Sequence, residues 1–218
     1  MIPFDSQTFF ALLGDINLTY WPAILSAMGG ALVLLFIARL QTPIASRLVL
    51  LFLSAGWAWS GFVFYGVFLS TLVWASWVFE YVCYAQAGLF AVCALLPHPP
   101  TLSLRADNTG WAAASTVAFC AIFYPLIAAQ VGHAWPGAQL LGITPGPLAA
   151  ATLGLLCLTE VRYRLVLGVV PALTLLITLY LALNLAIWED LILVAIGLGG
   201  FAWSLIAVRR NAAPDASG

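Results

Sequence analysis

The chain has 218 residues, 64% of them hydrophobic and only 7% charged, with a mean hydropathy of +1.07. Soluble domains carry about 25% charged residues, so this composition excludes an ordinary water-soluble fold and points into a bilayer. The net charge is -1, all seven basic residues are arginine and no basic run occurs. That excludes a polybasic surface for nucleic acid or anionic lipid, and with no lysine a retinal Schiff base cannot form.

The fold class is all-α: an integral membrane bundle of about seven transmembrane helices. The opening stretch "MIPFDSQTFFALLGD" has neither a positive n-region nor a long apolar core, which argues against a cleaved signal peptide. Residues 1–19 are expected to form an outer interfacial segment. Asp5 or Ser6 would cap its short helix, and Phe9, Phe10, Leu12 and Leu13 would turn toward the lipid surface.

A spanning helix needs roughly 20 apolar residues. Spans are expected near Tyr20–Ala38, Leu48–Thr71, Ala75–Leu96, Gly110–Val131, Gly146–Leu158, Leu165–Leu183 and Leu191–Val208. The fifth crosses only if its apolar run extends back through the break Thr144-Pro145-Gly146-Pro147. Residues 20–208 thus form one seven-helix membrane domain. The small, polar end of 209–218 should be a disordered cytoplasmic tail.

Charge orients the bundle. Arg39 and Arg47, Arg105, Arg162 and Arg164, and Arg209 and Arg210 all fall in alternate connections. The positive-inside rule makes those connections cytoplasmic, with the N-terminus outside and the C-terminus inside. Trp21, Trp74, Trp77, Trp135 and Trp188 fall at the opposite span ends, where aromatic belts belong. An offset that aligns Pro22, Gly29 and Arg39 with Pro147, Gly154 and Arg164 is compatible with a 3+1+3 arrangement, as in the parallel triple-helix repeats of small sugar transporters.

Ionisable groups within the spans are the leads to function, because a carboxylate at a helix centre costs about 2.5 to 3.5 kcal/mol to insert. Glu80 lies about 8 Å into span three at helical rise, with Cys83, Tyr84 and Ala87 on its face. It reads as a proton or cation ligand, or as a carboxyl held by aromatic donors. Glu189 and Asp190 open span seven, where carboxylates complement the positive helix end. Gln86 and Gln130 read as packing glue. Cys83, Cys93, Cys120 and Cys157 show no ligand spacing, so neither metal nor cofactor is expected.

The segment "GHAWPGAQLLGITPGP", residues 132–147, joins spans four and five on the outer face. His133 ends span four, and Pro145 and Pro147 delay regular helix until the first turn of span five. The run 140–147 is too apolar for an exposed loop. It is expected to fold back into the bundle mouth, which is tolerated only where protein or a wet cavity satisfies its backbone.

Read in order, Asn17-x-x-x-Trp21-Pro22, Trp59-x-Gly61, Tyr124-Pro125, Gly132-His133-x-x-Pro136, Pro145-x-Pro147 with Thr152-x-Gly154, and Glu189-Asp190-Leu191 resemble the landmarks of an uncharacterised bacterial family of multi-pass inner-membrane proteins, a domain of unknown function. The resemblance covers nearly the whole chain and implies the fold and the bacterial inner membrane, with no established activity. The chain departs from the family pattern at Tyr65, where a histidine is common, and at Pro145-Gly146-Pro147-Leu148-Ala149, where Pro-Cys-Pro-Thr-Thr occurs. Both departures remove metal ligands or nucleophiles.

Three function classes remain open. A small-solute or ion transporter would use an outer-facing cavity lined by Glu80, Tyr65, Tyr84, His133, Pro145 and Pro147, with Glu189 and Asp190 at its edge. An accessory or assembly subunit would need only apolar helix faces for a membrane-protein partner or a second copy of the chain. An intramembrane enzyme would need a catalytic constellation; H-E-x-x-H, G-x-S-x-G and paired intramembrane carboxylates are all missing from the sequence. The expected partners are the lipid bilayer and a small solute or cation, with no nucleic acid.

Overall fold

In the computed structural model, which describes residues 4–212, the chain is a bundle of helices with no strand among those residues. Helix α1 (Ser6–Ala38) begins where Asp5 Oδ1 accepts the Thr8 amide at 2.8 Å. That bond holds the Asp5 carboxyl below the ordinary carboxylate range. The helix kinks at Tyr20 (φ -116°, ψ 20°), two residues before Pro22, whose ring removes an amide and crowds the preceding turn.

The segment before the kink does not present its apolar side to lipid as expected. Phe9 and Leu13 are buried in the bundle, because the half-helix leans on the segment around Pro136 and on the ring of His133. Residues 6–19 and the first span are therefore one bent helix.

Helix α2 (Pro43–Ser60) starts with Thr42 Oγ1 accepting the Ala45 amide and Pro43 in the first turn. It widens into a π-helical stretch, Gly61–Phe68, and closes on a 3₁₀ turn, Leu69–Thr71. Helix α3 (Ser76–Leu95) returns alongside, and Gln86 Nε2 donates to the Leu167 carbonyl on α7 (Val161–Leu185) at 2.9 Å, which makes it glue between helices. The fourth crossing is built from α4 (Asn108–Ala118), a π-helical stretch Phe119–Phe123 and α5 (Tyr124–Gln130). Pro125 has no amide to give Ala121, and the Tyr124 amide reaches back to Phe119.

Among the described residues six helical stretches are long and apolar enough to cross a membrane. The fifth expected span differs. Helix α6 (Pro145–Leu156) has 12 residues, about 18 Å of rise against a hydrocarbon thickness of about 30 Å. All 12 are buried, with α2, α4, α7 and α8 (Trp188–Ala212) packed around it. It is the axis of the bundle and not a peripheral span like α1, its partner in the expected repeat.

The residues before α6 extend its path through the bundle. Leu140, Leu141 and Ile143 are buried, and their stretch of backbone is satisfied from the protein. Asn17 Nδ2 donates to the carbonyls of Pro136 and Ala138, and Ser60 Oγ donates to that of Ile143 at 2.8 Å. The segment is folded into the bundle, whereas a linker would have left those carbonyls to water.

The far end of α6 is closed by Arg164. Its guanidinium is buried and donates to the carbonyls of Cys157, Thr159 and Ser204 at 2.8, 2.7 and 3.1 Å. These include carbonyls at the negative end of α6, so a cation there complements the helix dipole without a carboxylate partner. The connection from α3 to α4 is tied to the same end, since the amides of Ser103 and Leu104 donate to the carbonyls of Leu158 and Ala38. The bundle thus has an arginine end, and a histidine end where α1 begins and α8 begins.

The expected tail from residue 209 is helical through Ala212, and 213–218 lie outside the described residues, as do 1–3. The four cysteines are free thiols.

Candidate functional site

The histidine end contains a polar cluster that the helix starts and the two wide helical stretches assemble. Glu189 and Asp190 occupy the first turn of α8, and both are buried, 2% and 1% exposed. They do not fold back as caps on their own amides. Asp190 Oδ2 accepts from Gln139 Nε2 at 2.9 Å, and its Oδ1 accepts from the Tyr124 hydroxyl. Tyr124 is aimed there by the π-helical stretch that precedes it, which shifts the face of the fourth crossing by a fraction of a turn. Glu189 Oε1 meets His133 Nδ1 at 2.5 Å, and its Oε2 is buried with no hydrogen-bond partner. The His133 ring is fixed in plane by Phe10, stacked at 3.8 Å between centroids.

Beside this cluster lies a cavity of about 340 Å³. Phe64 and Tyr65 line it from the π-helical end of α2, Phe79 from α3, Thr174 and Thr178 from α7, and Phe4 and Phe9 from the chain's beginning. Its polar wall is Asp190, Gln139 and the start of α6, Pro145 and Gly146. Neither threonine hydroxyl is free to turn inward, since each donates to the carbonyl four residues back on α7. Tyr65 stacks on Phe79 with centroids 5.5 Å apart. The wall is thus aromatic and aliphatic, with one carboxylate held by two donors and a helix N-terminus close by. This is the composition of a small-molecule site.

Of the expected site residues, Tyr65, Pro145 and Asp190 line this cavity, while His133 and Glu189 pair next to it. Pro147 is buried in the first turn of α6, outside the cavity wall. Glu80 and Tyr84 lie elsewhere: the Tyr84 hydroxyl donates to Glu80 Oε1 at 2.8 Å on one face of α3. The Glu80 carboxyl tucks against Gly66, where an added Cβ would come within 2.7 Å of it. So neither Glu80 nor His133 lines this cavity.

Gln139, Tyr124, Phe64 and the α7 threonines belong to the site and were not among the expected ligands. Gln139 had a legible signal, being the one amide in an otherwise apolar run before α6. Phe64 and the α7 threonines line the cavity and Tyr124 holds Asp190 in its wall, placements that no periodicity reveals.

A family described as a family of unknown function (DUF6064) matches residues 6–214, and the chain belongs to it. No curated protein and no solved structure matches the chain. Family membership therefore agrees with the multi-pass resemblance and names no activity.

Proposed function

We propose that this apolar helical bundle is a solute-binding membrane protein of the transporter kind, oriented in a bacterial inner membrane with its histidine end outward. The observation that carries the reading is the cavity of about 340 Å³ with Asp190 in its wall. A membrane protein with only a structural task gains nothing from a carboxylate kept beside an internal cavity, where it is costly.

The chemistry of the wall defines the solute. Aromatic and aliphatic side chains take an apolar body of modest size, and Asp190 takes a donor or cationic head, so a small apolar amine fits best. Glu80 takes no part in binding. In the competing reading, an accessory subunit, the cavity would have no ligand.

The test is thermal unfolding of the full chain in lipid nanodiscs with a panel of apolar primary amines and their neutral alcohol counterparts. The amines raise the midpoint of the parent protein, and Asp190→Asn removes that preference while leaving the unliganded midpoint measurable. An amine that passes is then followed across proteoliposomes. Equal response to amines and alcohols in the parent protein would remove Asp190 as the head-group site.

A further inference from the structure

We infer that Glu189 and His133 form a proton-binding site, separate from the solute cavity, that loads from the histidine end. The observation is the unmatched half of a buried carboxyl. Glu189 is 2% exposed, and only one of its oxygens has a partner. Oε2 is sealed from solvent with no donor within reach. A carboxylate in that position has lost the water around one oxygen and gained nothing in return, whereas a proton on the carboxyl removes the charge that needs it.

The one basic side chain against it among the described residues is built as a conduit. His133 meets Glu189 through Nδ1, its side chain is 24% exposed, and its Nε2 has no protein partner among the described residues. Phe10 keeps the ring flat in that orientation. The transfer balances: Nε2 takes a proton from a hydronium ion at the surface, which leaves as water, Nδ1 gives its own proton to Glu189 Oε1, and the nitrogen keeps the N–H electron pair. The products are a neutral imidazole with its proton on Nε2 and a neutral carboxylic acid.

The surroundings set the charge balance. From the elements packed around this site come Asp190 on the same turn of α8, and Tyr124 and Cys120 on the fourth crossing. Asp5 before α1, Asp15 on α1 and Glu80 on α3 are the other acids of this end. The described arginines Arg39, Arg47, Arg105, Arg162 and Arg164 belong to the opposite end. No fixed cation therefore compensates Glu189, and a mobile one must.

A proton on Glu189 lowers the negative charge beside Asp190, which is next in the chain and faces the cavity. That link to solute binding rests on the proposed function; the proton site does not. Infrared difference spectra of the full chain in nanodiscs, without added solute, test it as pH is stepped from alkaline to acid. A carboxylic-acid C=O band appears, is lost in Glu189→Gln, and is shifted in frequency but retained in Glu189→Asp, which also covers a failure of the glutamine variant to fold. In His133→Phe the band exchanges into deuterium oxide more slowly, by on the order of tenfold or more, because the transfer group is gone. The site is overturned if no such band is lost in Glu189→Gln, or if sodium at constant pH suppresses it, which would make the occupant a metal cation. An amine-binding failure in the cavity would leave these spectra unchanged.

Discussion

At the scale of single residues, backbone geometry and charge placement make separable demands. Gly142 sits in the segment before α6 at φ +109°, and a Cβ there would lie 2.5 Å from that of Ala27. Gly142→Ala is expected to cost about 2 kcal/mol or more, the left-handed penalty plus displacement of α1, read as a lower unfolding midpoint in detergent. Ala186 carries the opposite mismatch. It closes α7 at φ 57° in the left-handed region without being glycine, so Ala186→Gly should stabilise by up to about 1 kcal/mol in the same assay. Glu80 was legible in the sequence as the carboxyl within span three, and its partner Tyr84 follows from i, i+4 spacing. The sequence could not show that Gly66 on another helix provides its niche. Because the pair lies away from the cavity, Glu80→Gln is expected to leave amine binding unchanged; a lost amine response would place Glu80 in the solute path.

At the scale of elements, what was legible followed from hydropathy and from residues that fix the backbone. The long apolar runs gave the six long helices, since each is long enough to span by itself. Pro145 and Pro147 marked the start of α6, and the apolar run before them marked a segment that must enter the bundle. Hidden were the two π-helical stretches and the inward lean of α1, because both depend on which neighbour each face meets. Arg164 shows the limit well: as one more arginine in a connection it reads as a topology signal, yet it is buried and holds three carbonyls at the close of α6. Arg164→Ala should cost about 3 kcal/mol or more, by leaving buried carbonyls unmatched. Arg164→Lys should recover only part, since an ammonium keeps the charge and loses the fork. The start of α6 can be tested by a cysteine at Gly146, where a Cβ would lie 3.1 Å from Thr178 Oγ1. That thiol should react slowly with a membrane-impermeant reagent, and faster once Pro145 and Pro147 are both alanine, which removes the fixed φ angles of the turn. Rapid labelling in both backgrounds would mean that the segment stands open to water.

At the scale of the whole molecule the question is how many times the chain crosses, and α6 decides it. Six long helices alone would return the C-terminus to the side where the chain began, an even count. The entering segment and α6 together run from one end of the bundle to the other, as a further crossing would: His133 before it pairs with Glu189 at the histidine end, whereas Leu158 after it bonds Ser103 at the arginine end. Helix α1 starts at the histidine end and α8 finishes at the other, so the termini should lie on opposite sides. Arginine placement adds the direction. The side chains of Arg39, Arg47, Arg105 and Arg162 gather at one end, and the positive-inside rule predicts that this end stays in the cytoplasm during insertion. Arg164 counts toward the same end by position, although its charge is committed inside the protein. The exposed indoles of Trp21, Trp74, Trp77, Trp135 and Trp188 ring the histidine end, where amphipathic aromatic rings settle at a headgroup boundary. A reporter fused after Arg210 is therefore expected to read cytoplasmic, and one inserted at Gly137 to read outer. Moving the bias should matter more than removing a single charge: replacing Arg39, Arg47 and Arg105 together with glutamine should produce a mixed population, while Arg162→Gln alone should not. If the two reporters read the same side in the parent protein, α6 and its entering segment do not complete a crossing, and the histidine end loses its claim to be the outer mouth of the cavity.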